Sequence, residues 1–204
     1  MILPKNSCIL FDFDGTLTTF RDNKKGLWDI FLKKGISKET IEENYKKTKS
    51  NAFNFEKFIN SFDNLEKEKV LKEMQKWLKE NLTLYTDAEF IKNKNFSFVL
   101  FTFGDPKYQI EKIRAVGITP DLFLFSEKFP KINSIKSFIE NLKFEREKNG
   151  PLIFIDNSFL ELDAVRDAGY SENEIITIWL NRKNSTEKLK YKHLEIKSLD
   201  ELNF

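Results

Sequence analysis

The sequence predicts an α/β protein built on a parallel sheet and interrupted near its start by an all-helical insertion. Three observations carry that prediction. Short apolar runs rich in β-branched and aromatic residues recur at 8–13, 96–102, 122–126, 151–156 and 175–180 of the 204-residue chain, each of strand length and bounded by turn residues. Helical patterns at about 105–116, 132–147 and 159–168 separate the later runs, which is the alternation of βαβ units. Between the first run and the second, from about residue 20 to 94, the apolar residues keep helical spacing with no strand alternation.

Taken in order, "CILFDF" (8–13) is a buried strand that turns at Gly15. In "SKETIEENY" the Ser37 hydroxyl and the acids after it start a helix. "FNFEKFINSF" places Phe55, Phe58, Ile59 and Phe62 on one stripe, and "EKVLKEMQKWLKENL" does so with Val70, Leu71, Met74, Trp77 and Leu78. The strands "FSFVLFT", "LFLFS", "PLIFID" and "IITIWL" follow, and "HLEIKSLDELNF" closes the chain with a short strand and a turn of helix. Residues 1–19 and 95–204 therefore read as one α/β domain and 20–94 as a helical domain.

Composition excludes several function classes. A formal net charge of +2 with acids and bases interspersed leaves no basic stripe for nucleic acid. No apolar run reaches the ~18 residues of a membrane span. The first strand begins within a few residues of the start with no signal peptide, so a cytoplasmic protein is expected. Cys8 is the single cysteine, which rules out an internal disulfide.

In open parallel sheets ligands bind beyond the carboxyl ends of the strands. The polar residues at those ends are Asp12, Asp14, Thr102, Lys128 or Lys131, and Asp156. Asp12 and Asp14 lie two apart where strand gives way to turn, so their side chains point the same way. Two carboxylates held that close repel unless a hard cation intervenes, and Mg2+ suits one or two carboxylates plus a phosphate. Thr102 offers a hydroxyl and its turn free N–H groups for phosphate oxygens. A lysine at 128 or 131 can neutralise an anion. Asp156 ends a buried run, where an acid has no structural purpose, and Asn157, Glu161 and Asp163 follow it closely. Arg21, Lys24 and Lys25 read as surface residues, Phe55, Phe58, Phe62 and Trp77 as the insertion's own core, and His193 carries no assigned role.

Together these residues resemble the haloacid dehalogenase-like (HAD) hydrolase superfamily. Its first signature, D-x-D-G-[TV] after an apolar strand, stands here as Asp12-Phe13-Asp14-Gly15-Thr16; the second is Thr102 in "VLFTFGD"; the third is matched best by Lys131, with Lys128 as the alternative; the fourth is "FIDNSFLELDAVRDAG". In the fourth, Asn157 stands where a second aspartate is usual, and Glu161 lies five residues after Asp156. The resemblance implies a doubly wound, three-layer Rossmann-like core with a helical cap between the first and second motifs. It also implies a Mg2+-dependent phosphatase acting on a small phosphorylated metabolite. In that reading Asp12 is the nucleophile, Asp14 the general acid and base, and Thr102 and Lys131 hold the phosphoryl oxygens. The metal is expected at Asp12, Asp14 (through its backbone carbonyl) and Asp156, with support from Glu161; Asn157 and Asp163 are the alternatives for that support. An acid at position 14 serves an alkoxide leaving group, which halide does not need. The same residues would serve a phosphomutase or other phosphotransferase, and a non-catalytic binding or regulatory module is the remaining alternative.

Overall fold

The computed structural model describes residues 1–4, 7–21, 26–48, 52–63, 65–93, 96–134, 136, 138–139 and 150–203. Lys24, Lys25 and most of the helix expected over 132–147 lie outside the described residues. Two compact units emerge. One comprises Met1–Thr18, Leu84–Phe103 and Thr119–Phe204, the other Thr19–Thr83 and Gly104–Ile118.

The strands are β1 (Cys8–Phe11), β2 (Thr18–Phe20), β3 (Leu82–Leu84), β4 (Phe98–Phe103), β5 (Leu122–Ser126), β6 (Leu152–Asp156), β7 (Ile175–Leu180) and β8 (Leu194–Ile196). Six of them form one parallel sheet in the first unit, ordered β5-β4-β1-β6-β7-β8. This is an α/β Rossmann-like fold, as the sequence predicts. β1 sits inside the sheet, with Ile9 opposite Phe98 on one side and Ile153 on the other. Ile9, Leu10 and Phe11 are all buried, which is why the run is continuously apolar instead of alternating. On one face Leu10, Phe101 and Phe154 pack with Leu162, Val165 and Trp179. At the edge, Leu122 and Phe123 of β5 stay about 40% exposed.

From β1 the chain moves outward through β4 and β5, then returns to the other side of β1 for β6, β7 and β8. The order therefore reverses beside β1, and such a reversal opens a crevice at the carboxyl ends of the strands. β1 and β6 both deliver an aspartate there.

The second unit holds α1 (Gly26–Leu32), α2 (Lys38–Thr48), α3 (Phe55–Asn60), α4 (Lys67–Asn81) and α5 (Pro106–Val116). Its centre is aromatic: Phe31 and Phe58 approach to 5.0 Å between ring centroids, Phe31 and Phe62 to 5.2 Å, and all three are buried with Phe55. The stripe of Phe55, Phe58 and Phe62 is thus the unit's own core, and Trp77 packs on Phe20. Ser37 accepts from the Thr40 amide ahead of α2, as expected of a cap. Leu71, placed on the apolar stripe of α4, is instead 40% exposed.

Two boundaries differ from the sequence reading. Residues 84–93, read as the end of the helical block, belong to the first unit and carry part of β3 and a 3-10 helix over Thr86–Asn93. Residues 104–118, read as part of the α/β domain, group with the helices. α5 begins conventionally, with Asp105 capping the Tyr108 amide and Pro106 in the first turn. Asp105 also accepts from Asn54, the cap of α3, at 2.6 Å. The Tyr108 ring lies on Phe53 and Phe55, and Gln75 of α4 donates to Glu111. These side chains commit α5 to the helical unit. A last helix, α6 (Phe159–Asp167), lies in the first unit. Among the described residues no helix is long and apolar enough to cross a membrane.

Candidate active site

The turn after β1 is organised around one carbonyl. The Leu17 and Thr18 amides and the Thr18 hydroxyl all donate to the Phe13 oxygen at 3.0 Å, and the Gly15 amide donates to the Thr18 oxygen at 2.9 Å. Gly15 takes φ +87°, a backbone region costly for other residues. A side chain is excluded there for a second reason: a Cβ would sit 2.8 Å from Asn157 Nδ2. Asn157 in turn latches Thr16, accepting from its hydroxyl at 3.1 Å and donating its own amide back at 3.0 Å. The residue standing where a second acid is usual thus grips the turn that carries Asp12 and Asp14.

Lys131 is the centre of charge. It is 2% exposed, and its Nζ reaches Asp12 Oδ1 at 2.5 Å and Asp156 Oδ2 at 2.7 Å. Its backbone N–H donates to Glu161 Oε2 at 2.8 Å, so Glu161, projecting from α6, holds the 3-10 helix on which the lysine is mounted. The second oxygen of Asp156 accepts the Ser158 amide at 2.8 Å. Lys128, the alternative lysine, is exposed, and its backbone is tied to the Ser126 hydroxyl. Asp163 belongs elsewhere: it accepts the Lys190 and Tyr191 amides and meets His193 Nε2 at 3.0 Å. Asp14 is half-buried and pairs through its backbone with Thr18.

Burial raises the pKa of Asp12 to about 7; the Asp156 and Asp14 charges push the same way, and Lys131 only partly reverses them. Burial likewise raises Asp156 and Glu161 against the pull of Lys131. Burial alone would lower Lys131, but Asp12, Asp156 and Glu161 more than reverse it, and the ammonium is held charged. Three buried acids therefore face one buried ammonium. On β4, the Thr102 hydroxyl is buried with no hydrogen-bond partner among the described residues, a cost that native structures seldom leave without a reason.

The donor set suits a hard divalent cation. Asp12 and Asp156 present two carboxylates around the single Lys131 ammonium. Among the described residues no three His, Cys, Asp or Glu side chains form a metal cage, and a two-carboxylate set completed by substrate phosphate is how Mg2+ is commonly held.

The structure brings Asp12, Lys131 and Asp156 into contact, and it adds two contacts that the sequence reading did not name. The Asn157 latch depends on a residue 141 positions from Thr16. Arg182, whose Nη2 donates to the Thr16 carbonyl at 3.0 Å, was passed over although it follows the apolar run of β7, the same signal that singled out Asp156.

No family model matches the chain, and no curated protein matches its sequence. Solved structures do match its fold. The UTR4 protein of Saccharomyces cerevisiae aligns over 97% of this chain and all of its own, with a TM-score of 0.58 at 16% identity. An L-2-haloacid dehalogenase from Xanthobacter autotrophicus aligns over 95% of both chains, with a TM-score of 0.51 at 11% identity. A haloacid dehalogenase-like family hydrolase from Xanthomonas campestris covers 93% of this chain and 89% of its own, with a TM-score of 0.51 at 13% identity. With its reversed strand order and its lysine-bridged aspartates at the carboxyl edge, this chain has the fold of the haloacid dehalogenase-like hydrolases.

Proposed function

We propose that the protein is a phosphatase acting on a small phosphorylated metabolite through an aspartyl-phosphate, with Mg2+ as cofactor. The observation that carries this reading is Lys131 spanning Asp12 and Asp156 inside the strand-edge crevice. The lysine aims one oxygen of Asp12 and leaves the other for attack on phosphorus. As the new P–O bond forms, the bond to the leaving oxygen breaks and Asp14 supplies its proton. Asp14 then takes a proton from water, the water oxygen attacks phosphorus, and inorganic phosphate leaves with the Asp12 carboxylate restored. Thr102 and Lys131 hold the transferring oxygens, the unpartnered hydroxyl finding its acceptor there. Asp12, Asp156 and the Asp14 carbonyl would hold Mg2+, which supplies charge screening as anion meets anion. Glu161 acts by mounting Lys131.

Asp14 favours this chemistry over dehalogenation, because an alkoxide needs the proton and a halide does not. The test is phosphate release from a panel of phosphorylated metabolites with Mg2+, comparing wild type with Asp12→Asn. We expect the variant to lose more than about 1,000-fold in turnover. Wild type inactive across the panel, or an Asp12→Asn variant as active as wild type, would sink the reading. An isomeric phosphate in place of inorganic phosphate would make the enzyme a phosphomutase.

A further inference from the structure

Arg182 stands two residues beyond β7 and is 17% exposed. One terminal nitrogen meets Asp87 Oδ2 at 2.5 Å, and the other donates to the Thr16 carbonyl at 3.0 Å. The Tyr85 ring lies 4.1 Å from the guanidinium carbon. Asp87 is itself fixed by the Leu199 amide and the Ser198 hydroxyl, and the Tyr85 amide donates to the Leu17 carbonyl. Thr16 is fully buried. Its hydroxyl belongs to Asn157 and its carbonyl to Arg182.

We propose that Arg182 is a positioning residue for the turn that carries Asp12 and Asp14: it fixes the Thr16 carbonyl and thereby the path of residues 12–18. This rests on the phosphatase reading for its catalytic consequence. A guanidinium beside this turn could act through its charge or through its shape. Asp87 cancels the charge at 2.5 Å, so little field is left to stabilise a distant phosphoryl group. Shape remains. A planar fork reaches two acceptors at once, which a lysine ammonium on a flexible stem does not reproduce. Among the described residues the buried Arg182 Nε and Asp87 Oδ1 atoms meet no partner, so the pair forgoes full hydrogen bonding while keeping its reach to Thr16.

Arg182→Lys, Arg182→Ala and Asp87→Asn test this, read by p-nitrophenyl phosphate turnover with Mg2+, amide exchange and thermal melting. A slight misplacement of a nucleophile costs on the order of 10–100-fold. We expect kcat to fall by that amount in Arg182→Lys and Arg182→Ala alike, with KM within about twofold. Asp87→Asn should fall between them and wild type. Low-millimolar guanidinium should restore part of the Arg182→Ala loss. The Gly15, Leu17 and Thr18 amides should exchange faster while those of β6 and β7 keep their protection.

Full turnover in Arg182→Lys would overturn the proposal, since charge alone would then suffice. So would unchanged exchange at Gly15, Leu17 and Thr18, or a kcat loss no larger than the loss of folded protein. If Arg182→Ala fails to fold, Arg182→Lys and Asp87→Asn carry the same readouts. If wild type hydrolyses neither the aryl phosphate nor any member of the metabolite panel, the phosphatase reading fails by itself, and the exchange of those three amides decides the role of Arg182.

Discussion

Two buried polar clusters in the α/β unit draw on the same helix and are finished very differently. Glu161 and Asp163 lie two apart on α6, about 200° around its axis, and so face opposite ways. On the Asp163 side the acid and the ring are partnered, and the gap lies at the far end, where the buried Arg166 Nε meets no partner among the described residues. Asp163 takes two amides and the His193 ring, and His193 Nδ1 meets the Thr177 hydroxyl at 2.7 Å. Arg166 donates to Thr177 at 3.0 Å. The groups run in an unbroken chain from Arg166 through Thr177 and the His193 ring to Asp163. On the Glu161 side three buried acids share one lysine, and the Thr102 hydroxyl has no partner among the described residues. A cluster whose single acid is matched by its donors fastens the C-terminal segment; one whose acids outnumber their ammonium has capacity left for a ligand.

That contrast is open to attack. Lys131→Met strands the acids and should cost about 3–5 kcal/mol in urea denaturation of the metal-free protein, as removal of one member of a buried ion group does. Asp163→Asn leaves amides and a ring poorly accepted and should cost about 1–3 kcal/mol, with turnover of the folded protein unchanged. A drop in turnover would mean that the two clusters are not separate. Thr102→Val separates stability from function most sharply. The hydroxyl has no partner to lose, so stability should stay within about 0.5 kcal/mol of wild type or rise, while phosphate release falls at least about tenfold.

The smallest effect concerns pH. Burial alone would raise Asp87, but its bonds from Arg182, Leu199 and Ser198 outweigh that and hold its pKa below the usual aspartate value. A carboxylate with a lowered folded pKa stabilises the fold fully above its unfolded value of about 3.9 and loses that contribution as pH falls through the folded value. Asp87→Asn should therefore flatten the stability curve below about pH 4 and leave its slope above about pH 5 unchanged. A changed slope near neutrality would assign the effect to another group.

Much of this was legible because buried parallel strands leave a simple trace: an apolar run ending in a polar residue. That trace located Asp12, Thr102 and Asp156 and the edge they share. It was silent on which lysine, because Lys128 and Lys131 are both near a helix start and only burial distinguishes them. Helical period alone separates Glu161 from Asp163, yet nothing local says which face meets Lys131. Asn157 and Arg182 act on Thr16 across long stretches of chain, and β3, three residues long, carries too little pattern to break a helical reading. α5 was misplaced because its allegiance lies in Asp105, Tyr108 and Glu111, polar or aromatic contacts that no periodicity records.

That allegiance of α5 bears on how the protein is made. The chain passes between the two units four times, near residues 18, 83, 103 and 118, so neither unit is a continuous piece of polypeptide. As the chain emerges from a ribosome, α1–α4 are present well before α5, and the helical unit stays incomplete until residue 118 has appeared. β1 waits longer still, since its neighbour β6 ends at residue 156. A nascent chain halted between those points would expose the inner faces of both units together. Long-range closure of this kind slows folding and leaves apolar surface open to aggregation. Cutting out residues 20–94 as a module would separate α3 and α4 from the helix they pack against, whereas a fragment that joins 19–83 to 104–118 keeps it.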